Sequence, residues 1–218
     1  MKTVSIPATG SEYILGKILC IGRNYVDHIK ELGNETPAAP VVFMKPATSV
    51  IRDGECILIP PYSQECHYEA ELAVLIGADG RNIPEEEALS HVAGYGVAID
   101  MTLRDVQDEL KKKGLPWEIA KGFDSSCPLS DFAPASSVAD PQDLKIMLKL
   151  NGQERQNGST GLMINSVARI ISHLSTIFTL EEGDVILTGT PAGVGRVAPG
   201  DRLEAEVTGV AKLAVTVA

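Results

Sequence analysis

Glu69 and Glu71 are where chemistry can begin in this sequence, because they stand two apart in the run His67-Tyr68-Glu69-Ala70-Glu71-Leu72-Ala73-Val74-Leu75. Side chains alternate across a strand, so both carboxylates share one face while Tyr68, Ala70, Leu72 and Val74 share the other. Like charges this close repel, and burying them between apolar residues is costly unless a cation neutralises them. The alternative for this motif by itself is an edge strand whose charged face is wet. Asp100 favours the first reading. It ends the apolar run Gly96-Val97-Ala98-Ile99, and the end of a strand is a usual place for a carboxylate directed into a pocket. Three carboxylates without clustered cysteines, in a chain with few histidines, suit a hard cation such as Mg²⁺, Mn²⁺ or Ca²⁺ better than zinc. Three protein oxygens would leave coordination positions for water and substrate.

Those residues need a scaffold. Residues 1 to about 60 are rich in Pro and Gly, with short apolar runs such as Ile18-Leu19-Cys20-Ile21 and Val41-Val42-Phe43-Met44 that read as strands joined by turns. Tyr25 to Leu32 fits two helical turns. Strands are expected over His67–Ile76 and Gly94–Met101, with Pro84 opening a short helix between them. Thr102 is placed to cap a helix that runs to Lys111-Lys112-Lys113 and stops at Gly114. Asn151-Gly152 has the turn chemistry of a tight hairpin between Leu144–Leu150 and the Glu154 strand. Over residues 161–178, Ile164, Val167, Ala168, Ile171, Ser175 and Phe178 repeat at three- and four-residue spacing, the pattern of an amphipathic helix. Strands over Val185–Thr188 and Leu203–Val207 follow, so the fold class is α+β with β dominant.

Composition narrows the function. At 218 residues and 44% apolar, the chain can bury a full core as one domain. Its formal charge of -10 speaks against nucleic acid and anionic membrane as partners. The opening Met-Lys-Thr-Val-Ser-Ile-Pro has no signal-peptide core, and no apolar run is long enough to cross a bilayer, so a soluble cytoplasmic protein is expected. Cys20, Cys56, Cys66 and Cys127 lack paired spacing and read as reduced structural thiols. Gly193-Val194-Gly195-Arg196-Val197-Ala198 satisfies a dinucleotide fingerprint, yet Pro199-Gly200-Asp201 stands where the phosphate-binding helix should begin. Those glycines are expected to shape a loop, with Thr190 lining the substrate pocket.

Six motifs in order carry a resemblance: G-R-N-Y-x-x-H-x-x-E from Gly22, H-x-E-x-E-L from His67, the strand ending in Asp100, D-x-T-x-R-D-x-Q, G-x-P-W-x-x-A-K ending in Lys121, and L-T-G-T-P-x-G-V-G from Leu187. This order resembles the fumarylacetoacetate hydrolase family, most closely its short acylpyruvase and oxaloacetate decarboxylase branch. The similarity covers residues 17 to about 215, leaving 1–16 as an N-terminal extension of a single catalytic domain over 1–218. It implies a mixed β-sandwich roll, usually a homodimer. It also implies that Lys121 is catalytic and that His28 and Glu31 form a dyad on a lid that activates water.

The residues support these roles by their own chemistry. His28 and Glu31, at i and i+3, can touch, so the carboxylate can orient the imidazole as a general base. Lys121, next to Trp117, Ile119, Ala120 and Phe123, can stabilise a developing enolate from a partly apolar pocket. Arg23, Arg104 and Gln107 are candidate anchors for substrate carboxylates, and Arg104 and Gln107 are three apart on one helix. The expected function is hydrolysis of the C–C bond of acylpyruvates, with decarboxylation of oxaloacetate through the same pyruvate enolate. The alternative is an oxaloacetate keto–enol tautomerase or 2-hydroxy-dienedioate isomerase. Either way the partner is a small 2-oxo acid. Glu69→Gln, Glu71→Gln and Asp100→Asn should each weaken Mg²⁺ or Mn²⁺ binding and nearly abolish turnover while the chain still folds; full activity of the triple variant in chelator would refute the metal assignment.

Overall fold

Ala70–Ile76 is buried at every position, which no edge strand can be. It lies inside a six-stranded sheet ordered Ala133–Pro134, Val92–Ile99, Ala70–Ile76, Val185–Leu187, Ile18–Gly22, Val41–Lys45. All neighbours are antiparallel except Val185–Leu187 and Ile18–Gly22, which run parallel. The computed structural model describes residues 2–33, 35 and 37–218; Met1, Asn34 and Thr36, which fall in the expected N-terminal strand-and-turn region, lie outside the described residues.

One face of this sheet, through Leu72, Val74, Val97 and Ile99, packs on a second sheet of five strands and on the helix Val167–Ile177. The five strands run Gln153–Ser159, Lys145–Leu150, Arg202–Val207, Ala211–Val217, Cys56–Ile57. The opposite face, through Ala73, Leu75, Ala98 and Leu187, packs on Leu129, Phe132 and the N-terminal hairpin of Thr3–Ile6 and Ser11–Ile14. Val4, Ile6 and Leu15 are buried there, so the expected N-terminal extension is a packed part of the fold. The helices are α1 (Val26–Glu31), α2 (Arg104–Lys113), α3 (Glu118–Lys121) and α4 (Val167–Ile177). Strand outweighs helix in a mixed-sheet roll, as expected.

The hairpin at Asn151-Gly152 forms with φ of 51° and 76° at the two turn residues, the positive pair a tight turn with matching twist requires. Three expectations need correcting. The expected strand His67–Ile76 is split at Glu69 into Cys66–Tyr68 and Ala70–Ile76. Thr102 does not cap α2: it pairs with His67 in a short three-stranded ribbon, and its hydroxyl donates to the Asp100 carbonyl at 3.3 Å. The helix expected over 161–178 begins at Val167, because the Ser166 hydroxyl accepts the Arg169 N–H at 3.1 Å and caps it there. Its buried face is Val167, Ile170, Ile171, Leu174 and Ser175, with Ile170 and Leu174 taking the places expected of Ala168 and Phe178. Leu174→Ala should therefore lower stability by about 2–5 kcal/mol, read as a lower denaturant midpoint, without altering metal affinity; an unchanged midpoint would contradict this packing.

Candidate active site

Two chain segments leave the large sheet at one corner, and that corner makes the site. Ala70–Ile76 gives way at Glu69 to Cys66–Tyr68 of the ribbon, and Val92–Ile99 gives way at Asp100 to Thr102–Leu103 of the same ribbon. The Asp100 N–H donates to the Glu69 carbonyl at 2.7 Å, clamping the two crossings together. Glu71 stays in the sheet opposite Ala98, and its Oε2 accepts the Gly189 N–H at 2.6 Å. Carboxylate oxygens of Glu69, Glu71 and Asp100 thus lie within 4.8 Å of one another, with residue exposures of 4%, 2% and 0%.

Cations surround this cluster. The Lys121 ammonium, carried by α3, lies 2.8 Å from Glu69 Oε2 and 2.6 Å from Asp100 Oδ2. The Arg104 guanidinium pairs with Glu69 Oε1 and donates through Nη1 to Gln107 Oε1 at 3.0 Å. Lys45, fully buried, places its ammonium 2.8 Å from Asp100 Oδ1, but off the direction of a hydrogen bond, so that this oxygen accepts none. Lys45 also donates to the Lys121 carbonyl, to the Ser126 carbonyl at 3.0 Å and to the Met101 carbonyl at 3.3 Å, tying α3 to the segment after Asp100. Sequence reasoning missed Lys45. The available signal was a lysine closing the apolar run Val41–Met44 directly before Pro46.

The charges do not balance evenly. Burial opposes ionisation of Glu69, but Arg104, Lys121 and His28 outweigh it and hold the carboxyl well below the usual range. Burial, reinforced by Asp100 and Glu69, pushes the Glu71 carboxyl well above that range, against the smaller help of Lys121 and the Gly189 amide. For Lys121, burial is outweighed by Asp100 and Glu69, so its ammonium is held charged more firmly than an ordinary lysine. A divalent cation would relieve both the crowding at Glu71 and the unsatisfied Asp100 Oδ1, and an all-oxygen donor set is what hard cations select. The residues therefore fit such an ion.

The dyad is assembled. His28 Nδ1 lies 3.3 Å from Glu31 Oε2, and Nε2 lies 4.0 Å from Glu69 Oε1. Burial, with help from Arg104, depresses the His28 pKa below the usual histidine value despite the opposing pull of Glu69 and Glu31, which favours the uncharged imidazole. Glu31 is itself held by the Gly193 N–H, at 3.0 Å and 3.2 Å from its two oxygens. Gly193 has φ of 100°, and a Cβ there would meet the Arg155 carbonyl at 2.1 Å, so only glycine can present that N–H. The glycine-rich segment is thus a loop followed by the short strand Gly195–Arg196, as its context predicts.

Of the remaining candidates, Arg23, Arg104, Gln107 and Thr190 line the same cavity as the three carboxylates, His28 and Lys121, whereas Glu31 acts from behind His28. The Thr190 hydroxyl is already engaged, donating to the Ala70 carbonyl at 2.8 Å and accepting from Gln156 Nε2 at 2.7 Å. Ile119, expected beside Lys121 in its pocket, is 59% exposed; Phe43 instead sits with its ring centroid 4.7 Å from the Lys121 ammonium.

Fold and site together define a β-roll protein with a buried acidic centre, a fixed lysine ammonium and a His–Glu pair. The chain belongs to the fumarylacetoacetate hydrolase family: the family description "Fumarylacetoacetate (FAA) hydrolase C-terminal" matches residues 17–218. It is 52% identical over 196 residues to the Rattus norvegicus protein named oxaloacetate tautomerase FAHD1, mitochondrial, covering 90% of this chain and 89% of that one. It is 49% identical to oxaloacetate tautomerase YcgM of Escherichia coli K12, over 88% of each. Its fold matches the fumarylpyruvate hydrolase of Pseudomonas aeruginosa, solved with Mn²⁺ and pyruvate, with a TM-score of 0.95 at 38% identity, covering 99% of this chain and 95% of that chain. These relatives are enzymes, and the chain shares their family. No helix among the described residues is long and apolar enough to cross a membrane.

The depressed His28 pKa generates a pH prediction. If neutral imidazole is the working form, kcat/KM should fall as pH drops through a value below the usual 6.5 of histidine. Glu31→Gln removes a partner that raises this pKa and should move the His28 titration, followed by NMR, lower still. An acid limb above the ordinary imidazole value would contradict this environment.

Proposed function

We propose that this chain is a divalent-cation-dependent oxaloacetate keto–enol tautomerase. One observation carries the reading: a Glu31-held imidazole and a lysine ammonium flank the same carboxylate, with His28 Nε2 4.0 Å from Glu69 Oε1 and Lys121 Nζ 2.8 Å from Glu69 Oε2. A base and a fixed cation lining one cavity are what moving a proton between carbon and oxygen requires. Relatives named oxaloacetate tautomerase at about half identity over nearly the whole chain support it.

In the forward sense His28 takes a proton from C3 of the keto acid, the C2–C3 double bond forms, and the carbonyl electron pair moves to oxygen. Lys121 lies where it can stabilise that enolate oxygen, and the proton is then delivered to oxygen to give the enol. Glu69, Glu71 and Asp100 would hold a divalent cation, which when bound supplies Lewis-acid polarisation of the 2-oxo acid. Arg104, steadied by Gln107, adds positive charge beside the acid's carboxylates. The proposal includes a homodimer and a cytoplasmic location.

The second reading is acylpyruvate hydrolysis with oxaloacetate decarboxylation, favoured by the match to the fumarylpyruvate hydrolase structure and by a His–Glu pair able to activate water. Purified protein with Mg²⁺ or Mn²⁺ should be given oxaloacetate, acetylpyruvate and fumarylpyruvate, following enol loss and pyruvate release separately. Enol–keto exchange of oxaloacetate should outrun pyruvate release, and His28→Asn should slow exchange by about 10²–10⁴-fold. Rapid pyruvate release from acylpyruvates, with enol loss no faster than without protein, would put the hydrolase first.

A further inference from the structure

Gln156 is the one fully enclosed residue of the strand Gln153–Ser159, whose other side chains face water or are half-buried. The reason lies one residue earlier. Leu148 pairs with Gln156 and Lys149 with Glu154, so Arg155 is an extra residue in this strand, and a bulge of this kind re-aims the side chain beside it. Gln156 is thereby turned inward, onto the back of the acidic centre.

The orientation of its carboxamide is fixed, because the oxygen must meet a donor and the nitrogen must meet acceptors. Oε1 accepts the Ala70 N–H at 2.9 Å, while Nε2 donates to the Thr190 hydroxyl at 2.7 Å and to the Pro191 carbonyl at 2.8 Å. Thr190 closes a ring by donating its own proton to the Ala70 carbonyl at 2.8 Å. Ala70 stands between Glu69 and Glu71, and the neighbouring strand Val185–Leu187 stops opposite Ala73, so Gln156 and Thr190 take the place of a strand partner there. Both polar groups of the Ala70 backbone are held by this ring, one by Gln156 directly and one through Thr190.

The same carboxamide pins the loop 189–193. Pro191 lies between Gly189, whose N–H is donated to Glu71, and Gly193, whose N–H is donated to Glu31. A Cβ on Gly158 would meet Pro191 Cβ at 2.5 Å, so strand and loop touch with no room for a side chain between them. One side chain thus fixes the spacing between the strand that carries two of the three carboxylates and the loop that supplies their backbone donor.

We propose that Gln156 is a positioning residue, which sets the placement of Glu69 and Glu71 against the loop 189–193 and thereby the affinity of the acidic centre for a divalent cation. The inference rests on the cation site of the reading above. Gln156 acts through Ala70, Thr190 and Gly189, and partners that orient metal ligands from behind typically cost about 10–100-fold in affinity when lost.

Calorimetric titration of the metal-free protein with Mn²⁺ tests this. Gln156→Met, which keeps the length of the side chain and removes its hydrogen bonds, should weaken Mn²⁺ binding roughly ten- to hundredfold. Thr190→Val, which removes only the hydroxyl, should also weaken it, and Thr190→Ser should keep the wild-type affinity. The variant with both Gln156→Met and Thr190→Val should lose less than the two single losses combined, because both cut one ring. Leu174→Ala, which destabilises by packing alone, should leave Mn²⁺ affinity unchanged and so separates positioning from lost stability. Wild-type affinity in folded Gln156→Met, or losses that simply add, would overturn the inference and leave the cation site standing. If Gln156→Met fails to fold, the Thr190 pair decides, and equal Mn²⁺ binding by Thr190→Val and Thr190→Ser would overturn it. A wild type that binds no Mn²⁺ would sink the cation site and this inference with it. No turnover is read, so the result does not depend on which reaction the site performs.

Discussion

Three carboxylates buried within 4.8 Å of one another are the constraint on which the rest of this structure depends. In water such a group would be unremarkable, but inside a protein each uncompensated charge costs several kcal/mol. The chain answers with cations from three separate places: buried Lys45 at the end of a strand, half-buried Arg104 at the start of α2 and buried Lys121 at the end of α3. Each cation also fastens its own element. Lys45 alone joins the strand Val41–Lys45, the α3 carbonyl at Lys121 and the segment through Ser126. The electrostatic solution and the packing of the site are one arrangement.

The scaffold contributes by where strands stop. Glu69 and Asp100 meet because neighbouring antiparallel strands leave the large sheet at the same level and enter the same ribbon, joined by the Asp100 N–H to the Glu69 carbonyl. Two glycines extend this outward. Gly189, with φ of 93°, offers its N–H to Glu71, and Gly193 offers its own to Glu31. A side chain at either position would meet neighbouring atoms at 2.8 Å or less. The loop thus carries backbone donors into places where no side chain fits.

Tautomerisation and C–C cleavage draw on the same parts, because both pass through an enolate whose oxygen needs positive charge nearby. They differ in what the base does. Taking a proton from carbon and taking one from water are the same act for a neutral imidazole fixed by a carboxylate. Which is realised depends on what stands against His28 Nε2, and that is set by the shape and charge of the cavity wall. Arg23 and Lys111 belong to that wall.

The sequence by itself determined the local facts. The alternation around Glu69 and Glu71, the apolar run ended by Asp100, the i, i+3 spacing of His28 and Glu31, and the turn at Asn151-Gly152 are all short-range, so backbone geometry alone makes them legible. It misplaced the start of α4 and the role of Thr102, where a Ser166 cap and a ribbon pairing overrode periodicity. Tertiary structure alone decided that the Glu69–Glu71 strand is central and dry rather than a wet edge, that Lys121 is an ion-paired buried ammonium, and that Lys45 and Lys111 join the site at all. Those outcomes hang on contacts between residues tens of positions apart, such as Lys45 with Asp100 and Lys121 with Glu69. Burial and electrostatic environment are properties of what packs around a residue, and no local spacing encodes them.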